Sequence, residues 1–107
     1  MNEEILNSVY NASLEFGENF RKHIIEIIED LYPNISSDEK NSIAAYIEQT
    51  RENIEKYFYD HYDYKNETVN KYLHEQGKQW IKETYTWMNS KNINRAASQG
   101  MYYAWHG

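Results

Sequence analysis

Apolar residues recur along this chain at steps of three and four, the period of a helix face and not of a strand. The first stripe is Leu6, Tyr10, Phe16, Phe20, Ile24, Ile27 and Leu31, with a single step of six between Tyr10 and Phe16. It predicts one helix over about residues 3–32, running through Gly17. Asn2 is placed to cap it, and Glu3 and Glu4 sit where carboxylates favour the positive end of the helix dipole. Pro33 cannot continue the hydrogen-bond ladder and disfavours helical geometry at Tyr32, so the helix stops there.

Three further stripes follow. Ser36-Ser37-Asp38-Glu39 has the S-x-x-E form of a capping box and opens a second helix, expected over 37–64. Its inward positions are Ile43, Ile47, Thr50, Ile54, Tyr57, Phe58 and His61. Asn66 is the next cap. Val69, Leu73, Gly77, Trp80, Ile81, Thr84 and Met88 then predict a third helix over 67–89. Asn89-Ser-Lys-Asn92 interrupts the pattern before a short helix over 92–104, where Ile93, Ala96, Ala97, Gly100, Met101 and Ala104 allow close backbone approach. Short connections between helices of this length imply antiparallel neighbours. The expected fold is all-α: a single domain, 1–107, forming an up-and-down antiparallel helical bundle of three long helices plus a short C-terminal helix.

Composition supports this and removes several chemistries. One Pro and four Gly among 107 residues leave little punctuation for a strand-rich fold. The absence of Cys excludes disulfides, thiolate zinc and thiol catalysis. No apolar run is long enough to cross a membrane, and Glu3 and Glu4 stand where a signal peptide carries basic residues, so a cytoplasmic location is expected. The 17 acidic and 11 basic side chains give a formal charge of −6. Residues 1–60 hold 13 acids and 5 bases, whereas residues 61–107 hold 4 acids and 6 bases. Such asymmetry steers a basic partner toward one side, or brings unlike faces of two copies together.

The outer face of the second helix carries the most specific signal. At 100° per residue, Glu48, Glu52, Glu55, Tyr59, Tyr62 and Asp63 fall on one side, opposite the apolar stripe. The run Tyr57-Phe-Tyr-Asp-His-Tyr-Asp-Tyr64 holds more aromatic area than one core stripe absorbs. Exposed Tyr beside carboxylate is what protein-binding surfaces favour, because the ring packs while the hydroxyl bonds. The bland alternative is a solvated Glu row with Tyr covering the end of the bundle. Lys71, Lys78 and Lys82 give the third helix an outer face of opposite sign. The aromatic segment 101–107 is expected to fold back on the helices.

Catalytic patterns mostly fail. Phe20, Phe58, Lys71 and Tyr103 occupy the positions three residues before the four His, so no Glu-x-x-His pair exists for a di-iron site. His74-Glu75-Gln76-Gly77-Lys78 places Lys where a zinc-protease motif needs its second His. His61, on the apolar stripe, reads as a structural imidazole, as does His23. A carboxylate-imidazole metal site remains a weak option at His23 and Glu26, or at Asp60, His61 and Asp63. Phosphate loops and nucleophile elbows are missing. Binding of single-stranded nucleic acid by Lys71, Lys78, Trp80, Lys82, Tyr85, Trp87, Lys91 and Arg95 runs against the chain's sign. Membrane association is opposed by the acidic faces.

The sequence therefore leads to a non-enzymatic protein-binding module, without cofactor or metal. Its acidic, Tyr-bearing face would dock on a basic protein, such as a nuclease toxin or another nucleic-acid-binding protein, in the manner of an immunity protein, antitoxin or inhibitor. Two alternatives stay open. One is a self-assembling, homo-oligomeric helical module; the other is a His/carboxylate metal-binding helical enzyme.

Overall fold

A computed structural model describes residues 2–14 and 23–106. Among the described residues there are five α-helices and no strand: α1 Glu3–Ser13, α2 Ile24–Leu31, α3 Ser37–His61, α4 Glu67–Thr84 and α5 Ser90–His106. The chain divides into two compact units, Met1–Thr50 and Arg51–Gly107, with α3 contributing to both.

In the first unit, Asn2 caps α1 by accepting a hydrogen bond from the Ile5 amide at 3.2 Å, with Glu3 and Glu4 in the first turn. The single helix expected over 3–32 is corrected here. α1 ends at Ser13, and a new helix starts after His23, whose ψ of 145° is extended backbone that no continuous helix passes through. Phe16, Gly17 and Phe20 lie outside the described residues. Ile24, Ile27 and Leu31 of the stripe still share one face of α2, but the last residue of that helix is left uncovered. The buried positions of α2 are Ile27 and Ile28, whereas Leu31, carried by the extrapolated stripe, is exposed. α1 packs against α2, and α1 turns Leu6, Val9 and Tyr10 inward. Tyr32 closes α2 by donating its amide to the Ile28 carbonyl at 2.7 Å, immediately before Pro33.

Ser36 opens α3 by accepting from the Glu39 amide at 3.2 Å, one half of the capping box. Ile43 and Ile47 are buried on α3, and so is Thr50, whose hydroxyl donates to the Tyr46 carbonyl at 2.8 Å. Burial of that side chain therefore leaves no orphaned hydroxyl.

The second unit is built on Phe58, which is fully buried. Its ring lies against Gly77 of α4 and Gly100 of α5, so closely that a Cβ on either glycine would overlap it. This close approach lets one aromatic ring serve three helices. Ile54, Leu73, Ile81, Ala96, Ala97 and Ala104 belong to the same buried set.

Several boundaries move from the expected ones. α3 ends at His61, and Asn66 caps α4 through the Val69 amide at 3.1 Å. α4 ends at Thr84, leaving Met88 in the turn that follows. α5 starts at Ser90 because Asn89 accepts the Asn92 amide at 2.9 Å, so Asn89-Ser-Lys-Asn92 is a helix cap rather than a gap. Val69 and Thr84, placed inward by periodicity, are exposed in the first and last turns of α4, where helix ends are least covered. His61 is corrected too: it is exposed at the end of α3, where its Nδ1 meets the Tyr57 carbonyl at 2.7 Å.

Candidate functional site

From Arg51 to His61, α3 turns Ile54 and Phe58 inward and leaves Glu52, Glu55 and Tyr59 exposed. Opposite them the last turns of α5 bring Tyr103 and Ala104. Glu52, Glu55, Lys56, Tyr59, Tyr103 and Ala104 line a groove of about 370 Å³ within the second unit.

Its charges are unequally satisfied. Arg51 pairs with Glu55 one turn away at 3.8 Å, and Lys56 Nζ donates to Asp60 Oδ2 at 2.5 Å. Both cations of this stretch thus point along α3 at carboxylates of the same helix. The Glu52 carboxylate makes no hydrogen bond or ion pair with the described residues. The groove also adjoins the C-terminal end of α5, where the last carbonyls lack intrahelical donors and carry partial negative charge. One of them is satisfied: the Tyr64 hydroxyl donates to the Ala104 carbonyl, tying the α3–α4 connection to α5.

The groove's aromatic rings are partly idle. Tyr59 is 59% exposed and makes no ring contact or hydrogen bond with the described residues. Tyr64, Tyr102 and Trp105 of the same unit are each more than half exposed. By contrast, Tyr57 is stacked between His61 and Trp80, at centroid distances of 4.3 and 4.4 Å. Trp80 also meets Tyr85 edge-on, and Tyr85 is buried. The aromatics of the single-strand binding option are therefore largely engaged inside the unit and offer poor platforms for stacked bases.

Of the sequence-derived face, Glu52, Glu55 and Tyr59 come together in the groove, and the remainder are placed elsewhere. Glu48 is exposed on α3 but belongs to the first unit. Tyr62 is half-buried and meets Tyr64 edge-on at 5.0 Å. Asp63 holds the turn after α3: its carboxylate accepts the Lys65 amide, and its backbone exchanges two hydrogen bonds with the Asn70 side chain, at 2.9 and 2.7 Å. Tyr103 and Ala104 were not singled out from the sequence as site residues. The aromatic run at 101–105 was the available signal, but it does not reveal which turn of α5 faces α3.

A second groove, of about 460 Å³, includes Lys78 and Lys82 of α4 with Thr86 and Ser90. Beside it Lys78 donates to Glu75 at 3.2 Å, and this hydrogen bond, with the ammonium charge, holds the Glu75 carboxyl below the ordinary glutamate range. His74 lies between Glu75, 3.6 Å from Nδ1, and Ser98, 3.5 Å from Nε2. Both distances are long for a proton relay. Ser98 also sits mid-helix, where the neighbouring backbone amides are committed to the α5 ladder. Among the described residues no group of three or more His, Asp or Glu side chains could hold a metal ion, and no helix is long and apolar enough to cross a membrane.

No protein-family model, curated protein or solved structure matches this chain.

Proposed function

We propose that this chain is a non-enzymatic protein-binding module whose α3–α5 groove docks on a basic protein partner, of the kind an immunity protein, antitoxin or inhibitor neutralises. The observation that carries the reading is the pairing of two groups in one concavity: Glu52, without an ionic partner among the described residues, and Tyr59, with its ring in solvent. A carboxylate row kept only for solubility has no need of exposed aromatic area beside it. At an interface, Tyr contributes buried area at little conformational cost, while the carboxylates accelerate and orient encounter with positive charge.

The test is charge reversal at positions that leave the core untouched. Glu52→Lys with Glu55→Lys is expected to keep the helical circular dichroism spectrum. It should also abolish recovery of the basic proteins that the wild-type chain retains from its native cell extract. For a partner so identified, the association rate should fall about tenfold or more at low salt, with the difference shrinking as salt screens the field. Retention of the same proteins by the double variant, at the same rate, would eliminate the groove as the docking surface.

A further inference from the structure

Resting on that reading, the geometry points to a more specific occupant: we propose that the α3–α5 groove receives an arginine side chain of the partner. Three features of the groove select this chemistry. Glu52 supplies a carboxylate with no cationic partner among the described residues, while the neighbouring Arg51 and Lys56 are directed at Glu55 and Asp60. Tyr59 and Tyr103 bring aromatic rings to the same concavity, with the apolar methyl of Ala104 between the helices. The C-terminal end of α5 adds the negative end of a helix dipole.

A planar guanidinium uses all three at once. It forms paired N–H···O bonds to a carboxylate, stacks on aromatic faces and is more weakly hydrated than an ammonium, while its methylene stem lies along apolar surface. A lysine ammonium would keep the charge attraction but lose the planar stacking and the two-point carboxylate geometry. The volume of about 370 Å³ leaves room for one long side chain together with part of the segment that bears it.

The probe is an acetyl-Gly-Arg-Gly-amide peptide titrated into the full-length, isotopically labelled chain and followed by nuclear magnetic resonance, with the citrulline and lysine counterparts as comparisons. The proposal predicts saturable shifts at Glu52, Tyr59 and Tyr103, weaker ones with the lysine peptide, and none that saturate with citrulline, which has the shape without the charge. Glu52→Gln should raise the peptide dissociation constant about tenfold. Tyr59→Ala should raise it by a smaller factor. Both positions are exposed, so the fold is retained in both variants. Equal response to citrulline, shifts centred on Lys78 and Lys82, or no saturable shift at all would overturn the proposal. So would concentration-dependent shifts of the groove residues in peptide-free protein, because they would make a second copy the occupant. Failure of the peptide while Glu52→Lys with Glu55→Lys still abolishes partner capture would remove the arginine assignment alone. Unchanged capture by that double variant would remove the docking reading itself.

Discussion

The ring of Phe58 fixes how closely three helices of the second unit approach, and the two glycines against it meet different ends of the ring, with Cε2 common to both. A Cβ on Gly77 would overlap Cζ and stand 2.5 Å from Cε1 and 3.3 Å from Cε2; one on Gly100 would overlap Cδ2 and stand 2.8 Å from both Cε2 and Cγ. Ordinary carbon contacts lie near 3.5–4.0 Å. In an unobstructed helix interior Gly→Ala gains about 1 kcal/mol. Here the ring is held from both sides, so overpacking of about 1–3 kcal/mol opposes that gain and outweighs it. Each Gly→Ala variant is therefore expected to lose up to about 2 kcal/mol of stability. Phe58→Leu separates the two cases. Leucine has no atoms equivalent to Cε or Cζ, the ones Gly77 meets; it keeps Cγ and Cδ, which Gly100 meets, and relieves only the Gly100 contact with Cε2. Phe58→Leu itself should cost about 1–3 kcal/mol. In that background Gly77→Ala should approach its intrinsic gain, a coupling of about 1–3 kcal/mol, whereas Gly100→Ala should stay unfavourable. Urea unfolding of the parent, the three single variants and the two doubles measures both cycles. If Gly77→Ala is as damaging in the Phe58→Leu background as in the parent chain, the packing described for this unit is incorrect.

Removal of the Tyr64 hydroxyl in Tyr64→Phe should cost about 0.5–1.5 kcal/mol and speed amide exchange in the last turn of α5, since the Ala104 carbonyl loses its donor. Asn66→Ala should destabilise by about 1 kcal/mol in chemical denaturation, because the Val69 amide loses its cap. The depressed Glu75 carboxyl contributes favourably above the pKa it has in the unfolded chain, and that contribution disappears as pH falls through its lower folded value. Carbon-detected titration of the Glu75 carboxyl should therefore show a midpoint that rises in Lys78→Met; an unmoved midpoint would exclude Lys78 as the cause.

Much of the helical content was legible because its signals are local. Asn2, Ser36 and Asn66 cap the helices they were expected to cap, and Ile47, Ile54, Phe58, Leu73 and Ile81 are buried where periodicity put them. The small residues at Ala96, Ala97 and Gly100 announced close approach without naming the ring that fills the space, and Gly77 carried no such signal. Extrapolation failed where continuity was assumed. α2 keeps the face the stripe predicted, with Ile27 and Ile28 buried, while Leu31, its last residue, stays in solvent. His61 shows the same weakness at a helix end, where periodicity persists but coverage does not. The acidic, Tyr-bearing face was legible as a helical pattern; its concave form was not. A groove needs a second wall, and the placement of Tyr103 and Ala104 opposite Tyr59 depends on tertiary packing at Phe58.

The most direct test of the docking groove is amide hydrogen exchange of the chain alone and bound to a basic partner recovered with it. Slowed exchange on binding is expected in Glu52–Tyr59 and Tyr102–His106, with Glu75–Asn94 unchanged. Slowing confined to Glu75–Asn94 or to the first unit, with Glu52–Tyr59 exchanging as in the free chain, would contradict it.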